Sequence, residues 1–337
     1  MPLRLIEAVI PKQKKDEIEK LFDMEGIVDY WREELYEDKT IYKILVKTEY
    51  SEKLIDKLSR KFQKDERFRI TVLDVIATLP KVEDEEPKKE TKKKKTIGRL
   101  RVSREELYAN ISASANLNYI YISMVVLSTI IAAFGLITNN TAVIIGAMVI
   151  APLLGPNIAI ALATVLGDVE LEKKGFITGL VGGLIAFFLA VLFGLFLDVN
   201  PEVEEIKRRI YVSFADVVIA MASGIAGVLA FTTGASVSLV GVMVAISLLP
   251  PLVTSGLLFG SGYPLHSLGA MLLFLANFAS LNLAGVITFT IQGVRPKSWW
   301  EEKKAKVYRK KSIIMWMILL SLLILAIYLE HKYITIQ

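Results

Sequence analysis

The chain has no cysteine and only two histidines, His266 and His331. Disulfides and thiolate metal sites are thereby excluded, and two distant imidazoles are too few for a histidine-rich metal centre. Charge is also scarce over a long stretch: between Asn118 and Gln292 it falls in short clusters and a few isolated positions. The sequence offers no nucleophile–base pair, phosphate loop or metal-ligand spacing. Neither an enzyme nor a cofactor is expected. A secretory signal peptide is not expected either, because Met1-Pro-Leu-Arg-Leu-Ile-Glu7 reads as a strand and carries no long apolar run.

What is abundant is apolar sequence in long runs. The 337 residues are 53% hydrophobic, a share that a soluble protein also reaches, so its distribution decides the class. Residues 1 to 110 hold most of the charge, and stretches of about 20 apolar residues follow, enough to cross a hydrocarbon core of about 30 Å. The sequence therefore predicts a multi-pass protein of the cell (inner) membrane, with the lipid bilayer as a partner. Lys88, Lys89 and Lys92 to Lys95 lie just before the apolar part. Such a run marks the cytoplasmic side, so the N-terminal region is expected there, within reach of anionic lipid. It lacks interleaved aromatics, and nucleic acid is not an expected partner.

The segment Gly146-Ala-Met-Val-Ile-Ala-Pro-Leu-Leu-Gly-Pro156 recurs as Gly241-Val-Met-Val-Ala-Ile-Ser-Leu-Leu-Pro-Pro251, with six of eleven positions identical. Gly167 and Gly262 match at the same offset of 95 residues. Helix breakers at matching places in two apolar segments point to a transporter-like site at mid-membrane.

Residues 1 to 80 read as a soluble domain. Leu3 to Ile10 alternates as a strand, Asp16 to Met24 as a helix, and Ile27 to Tyr36 and Thr40 to Thr48 as two further strands. Leu54, Leu58 and Phe62 mark a second helix, and Phe68, Ile70 and Val72 a last strand. The order β-α-β-β-α-β is that of a ferredoxin-like α+β fold, which by itself sets no function. Residues 81 to 102 form a charged linker. Ser103 and Glu106 have the spacing of a capping box, opening a helix with Leu107, Ile111 and Ala115 on one stripe. Tyr119 and Tyr121 are expected as interfacial anchors. Spans follow at about Asn118 to Ile137, a segment up to Asp168 interrupted at Ala151 to Asn157, and Phe176 to Leu197. The pattern restarts with Tyr211 to Phe231, Ala235 to Gly262 interrupted at Pro250-Pro251, and His266 to Gln292. A basic loop and one last span, Ser312 to Leu329, complete residues 293 to 337.

The fold expected is thus a membrane all-α domain of about seven transmembrane helices. Two three-helix repeats containing broken helices, about 116–198 and 211–292, make up most of residues 103–292. If each broken segment crosses the membrane, the repeats are inverted; if each re-enters, they are parallel and five spans result. The inverted arrangement is favoured.

Proline in a membrane helix frees carbonyls that lipid cannot satisfy, so they must face protein or a water-filled cavity. Pro152, Gly155, Pro156, Pro250 and Pro251 are therefore candidates for lining a solute or ion path, against the plainer reading of structural kinks. Asn157, Thr254 and Ser255 lie beside the breaks, and Asn277 and Asn282 in the sixth segment. Membrane amides coordinate cations or polar solutes, or serve as interhelical glue. Asp216 is the acid set furthest into an apolar stretch, a candidate for ion coupling or an interfacial partner of Arg208. Glycines 179, 182, 183, 224 and 227 read as close-packing faces, which also suggests a homo-oligomer.

The run Asn139-Asn-Thr-Ala-Val-Ile-Ile-Gly-Ala-Met-Val-Ile-Ala-Pro-Leu-Leu-Gly-Pro156 resembles the prokaryotic family known as domain of unknown function 389, over roughly Ile97 to Gln292. The resemblance implies a multispanning inner-membrane protein and brings no residue roles. Together these features predict a transporter or channel for a small solute or ion, with a cytoplasmic domain that regulates it. The rival expectation is a non-transporting sensor or scaffold whose soluble domain binds a ligand or partner.

Overall fold

The computed structural model describes residues 3–12, 18–19, 21–35, 39–62, 65, 68–75, 78, 102–233, 237–296 and 299–334. The chain divides into two compact units, Met1–Tyr108 and Ala109–Gln337.

In the first unit, strands β1 (Leu3–Pro11), β2 (Ile27–Leu35), β3 (Lys39–Lys47) and β4 (Arg69–Val75) form one sheet in the order β2-β3-β1-β4. Every neighbouring pair is antiparallel. This is the order that a β-α-β-β-α-β chain takes when its two crossovers interleave. Period-two alternation sends Ile6, Ala8 and Ile10 of β1 and Tyr42, Ile44 and Val46 of β3 to one face, where all are buried. Helix α1 (Thr48–Phe62) covers that face with Leu54, Leu58 and Phe62, four residues apart and fully buried. Of the helix expected at Asp16–Met24, Ile18 and Phe22 join this core; residues 13–17 and 20 lie outside the described residues, as does most of the charged linker. Helix α2 (Arg104–Ser114) opens as the capping box predicts, the Glu106 N–H donating to Ser103 Oγ at 3.3 Å. Its first turn is held by Arg4–Glu106 and Arg104–Asp56 ion pairs at 2.9 and 3.1 Å.

The second unit consists of helices α3 (Tyr119–Ile137), α4 (Thr141–Ile150), α5 (Leu154–Leu166), α6 (Val169–Phe196), α7 (Glu204–Lys207), α8 (Phe214–Thr233), α9 (Val237–Gly260), α10 (Pro264–Ile291) and α11 (Trp299–Ile334). Helices α3, α6, α8 and α10 are each long and apolar enough to cross a membrane, and α4 with α5 makes a fifth if the bent pair is one span. The outer face of α6 carries Phe176, Leu180, Leu184, Phe188 and Leu192 in a continuous exposed stripe. So large an apolar surface is stable against lipid and not against water. The chain is a membrane protein.

Helix directions follow from contacts. Tyr121 of α3 bonds Thr178 of α6, and Phe134 packs on Phe193, so α3 and α6 run parallel. The α4–α5 pair therefore leads from the Asn139 end of the bundle back to the Tyr119 end. Helix α9 runs parallel to α6, since Gly183 lies by Leu252 and Ser261 Oγ donates to the Gly194 carbonyl at 2.8 Å. Helices α8 and α10 are parallel to each other, with Gly224 against Leu281 and Gln292 Nε2 donating to Thr232 Oγ1 at 2.9 Å.

Three expectations change. Helix α9 is continuous through Pro250 and Pro251; position 247, where the first segment has Pro152, is Ser, so a single turn there loses its donors. Tyr121 is buried within the bundle instead of anchoring at an interface, its hydroxyl donating to the Thr178 carbonyl at 3.1 Å. The basic stretch after Trp299 is helical and continuous with the last apolar run, because it is rich in Lys, Arg, Glu and Ala and holds no Gly or Pro.

Candidate functional site

Ala151 precedes a proline and is extended, with φ −69° and ψ 121°, so α4 stops at Ile150. After Pro152 and Leu153 the chain resumes as α5, bent by 53° from α4. Pro152 and Pro156 have no N–H, which deprives the Met148 and Pro152 carbonyls of their helical partners. Leu153, at the cap of α5, makes no side-chain capping bond. From Leu154 to Val165 every residue of α5 is buried. The positive end of a half-helix thus starts inside the bundle.

Two amides meet there. Asn157 Nδ2 donates to the Leu153 carbonyl at 2.7 Å, and its Oδ1 accepts from Asn282 Nδ2 of α10 at 3.1 Å. Asn282 also donates to the Phe278 carbonyl at 2.9 Å, so both of its N–H bonds are used. The other asparagine of α10 serves the second proline segment. Pro251 offers no N–H to the Ser247 carbonyl, and Asn277 Nδ2 donates to that oxygen at 2.8 Å instead. Both amides act as interhelical glue through nitrogen, while Asn277 Oδ1 and Asn282 Oδ1 are buried without a partner. What links the two proline segments is α10, one asparagine to each.

The remaining expected residues fall elsewhere. Ser255 is tied to Ser267, its Oγ donating to the Ser267 carbonyl at 3.0 Å while Ser267 Oγ returns a bond to the Ser255 carbonyl at 2.8 Å. Thr254 is fully buried and its Oγ1 has no partner. Asp216 lies in the first turn of α8 and accepts from the Ser213 N–H at 2.8 Å, a helix-capping role at the end of the bundle. Arg208 pairs with Glu204 at 2.8 Å. Gly155 packs directly against the Ser114 carbonyl, and Lys174 Nζ donates to the Ser112 carbonyl at 2.8 Å. The last turn of α2 therefore seats beside the first break, its carbonyls met by a cation. Gly224 and Gly227 are spent on close approach to Leu281 and Ile158 within the chain, and Gly182 on Tyr121, while a Cβ at Gly179 would meet Pro156 at an ordinary 3.6 Å.

Sequence reasoning missed a latch at the Asn139 end. Asn139 adopts φ 53°, and its Oδ1 accepts from the Glu205 N–H at 3.1 Å. Asn140 caps α4, and Thr141 Oγ1 donates to the Glu205 carboxylate. Arg209 pairs with the same carboxylate at 2.7 Å. Burial pushes the Glu205 carboxyl up, but the Thr141 and Arg209 hydrogen bonds and the Arg209 and Arg208 charges outweigh it and hold the group below its usual range. The signal available beforehand was the Asn-Asn-Thr turn together with an acid four residues before an arginine.

Residues 148–283, from α4 through the asparagines of α10, match the family described as Domain of unknown function (DUF389). An uncharacterized protein of Methanocaldococcus jannaschii is 36% identical over 331 residues, covering 97% of this chain and 100% of that protein. No solved structure matches the chain. With similarity running along nearly its whole length, the chain belongs to the DUF389 family.

Proposed function

We propose that the protein is a transporter or channel for a small solute or ion, built from two inverted three-helix halves and regulated by its N-terminal domain. The observation that carries this reading is the buried start of α5, where a proline break, an uncapped helix end and the Asn157–Asn282 pair coincide. Polar backbone of that kind lies at membrane depth only where protein or a cavity receives it.

The inverted duplication is supported by recurrence at one offset. Val169 and Pro264, which begin α6 and α10, are 95 positions apart, as are Phe196 and Ile291, which end them. Gly167 and Gly262, also 95 apart, both have positive φ. A cross-contact recurs as well: a Cβ at Gly256 would meet Ala190 at 2.6 Å, and one at Gly285 would meet Ala161 at 2.9 Å. Ala161 corresponds to Gly256 and Ala190 to Gly285, so partners are exchanged as a twofold axis requires. The helix directions favour three crossings per half, with α11 as a seventh. On this reading Lys173, Lys174 and the basic start of α11 share the Tyr119 end, which by charge is the cytoplasmic one.

Two measurements test the proposal. The chain has no native cysteine, so single-cysteine variants at Lys173 and Glu202 can be labelled without background. They should react from opposite sides of the membrane; labelling from the same side rejects the crossing arrangement. Purified protein in liposomes should carry solute, and Pro156→Ala with Pro251→Ala should impair that flux. A protein without flux for ions or polar metabolites, but binding a ligand through its N-terminal domain, would be a sensor.

A further inference from the structure

The buried side-chain atoms left open at the proline segments are oxygens. In the second unit the described buried side-chain atoms without a partner are Thr164 Oγ1, Thr254 Oγ1, Asn277 Oδ1, Asn282 Oδ1 and Gln292 Oε1. All five are oxygens: three amide oxygens, which only accept, and two threonine hydroxyls, which can also donate. The groups that proline frees are oxygens too, since proline withholds a donor and leaves a carbonyl. Asparagine oxygen and nitrogen are assigned from surroundings, and here the surroundings decide. Turning Asn282 over would set its oxygen against the Phe278 carbonyl and Asn157 Oδ1, and turning Asn277 over would set oxygen against the Ser247 carbonyl. The free atoms are therefore acceptors, buried to 3% exposure at Asn277 and 0% at Asn282. Buried acceptors of this kind demand a donor or a cation.

Charge narrows the choice. Glu205 is the buried carboxylate among the described residues of the second unit, and Arg209 already neutralises it. A divalent ion stripped of water needs carboxylates to balance it, and none of the described side chains beside Asn157, Asn277 and Asn282 supplies one. An anion would face the same oxygens with the wrong sign. At Asn282 the acceptors of a polyol would find no hydrogen left.

Resting on the transport reading above, we propose that the ligand received at the proline segments is a monovalent alkali cation, bound by Asn282 Oδ1 and Asn277 Oδ1 with carbonyls freed by the prolines. The two asparagines are five residues apart, about 7.5 Å along α10. Five residues also turn α10 by about 140°, so Asn282 presents to α5 and Asn277 to α9, one oxygen ligand at each proline segment.

The test uses the full chain in nanodiscs, with radioactive sodium and rubidium as equilibrium binding probes and choline chloride holding ionic strength constant. Wild-type protein should bind one of them saturably, and Asn282→Ala and Asn277→Ala should each weaken it by about tenfold or more. Asn282→Asp keeps the shape and adds a charge, so it should tighten binding and admit calcium as a competitor. Thr233→Ala, at the end of α8, should bind as wild type does. Saturable binding untouched by Asn282→Ala, Asn277→Ala and Asn282→Asp overturns the site. A protein that carries a neutral solute in liposomes but binds no alkali cation overturns the cation and leaves the transport reading standing. Saturable cation binding without any flux does the reverse.

Discussion

Asn277 and Pro251 are predicted to be energetically coupled although one acts through what the other lacks. In an uninterrupted helix the Ser247 carbonyl accepts from the N–H of residue 251; here residue 251 is proline, and Asn277 Nδ2 takes that place at 2.8 Å. Asn277→Ala strands a buried carbonyl, at a cost of about 1–3 kcal/mol in water-soluble proteins. Hydrogen bonds between membrane helices average nearer 0.6 kcal/mol, with about 1.7 as a ceiling. A loss of about 1–1.5 kcal/mol is the working value. In a Pro251→Ala background the backbone N–H returns to the Ser247 carbonyl, so the same Asn277→Ala change should cost little beyond packing. A double-mutant cycle, read from reversible unfolding in mixed micelles, should give a coupling of about 1 kcal/mol. If Asn277→Ala costs the same in both backgrounds to within about 0.3–0.5 kcal/mol, as independent sites do, the amide is not replacing the lost donor.

Gly155→Ala should destabilise by about 1–3 kcal/mol, because its new Cβ would fall on the Ser114 carbonyl and backbone would have to yield. Gly179→Ala, whose Cβ would lie 3.6 Å from that of Pro156, should leave the melting temperature within a few degrees of wild type. Glu205, whose folded carboxyl titrates below its ordinary value of 4.5, contributes stability that is fully present above that value. The contribution should be lost as pH falls through the lower folded value, and Glu205→Gln should flatten the pH dependence of the melting temperature in that acidic window. A Glu205→Gln protein with the wild-type acid profile would refute the latch.

Local rules carried the first unit well. Alternation placed Tyr42, Ile44 and Val46 on the core face, and the spacing of Leu54, Leu58 and Phe62 identified the helix that covers them. The first break was equally legible, since Ala151 has little choice before Pro152. The second was not, because whether a proline interrupts a helix depends on what meets the freed carbonyl. That partner, Asn277, stands 30 residues away from Ser247. Asp216 read as an intramembrane acid only until the helix start fell at Phe214, which makes it a cap. The Glu205 latch joins residues 64 to 66 positions apart, a separation that periodicity cannot bridge.

The exchanged Gly256–Ala190 and Ala161–Gly285 contacts have a consequence for how this sequence is free to vary. At Gly285 an added Cβ would crowd the Ala161 methyl, whereas at Gly256 it would meet the Phe187 carbonyl at 2.6 Å as well as the Ala190 methyl. In one crossing the glycine sits on α9, and in the other on α10. The requirement at Gly285 and Ala161 thus belongs to the volume the two share, while Gly256 is held to glycine by backbone too. In the proposed duplication the second half supplies the glycine of both crossings and the first half the alanine. What the Ala161–Gly285 crossing must keep is one missing methyl group, and there either helix can be the one to lack it.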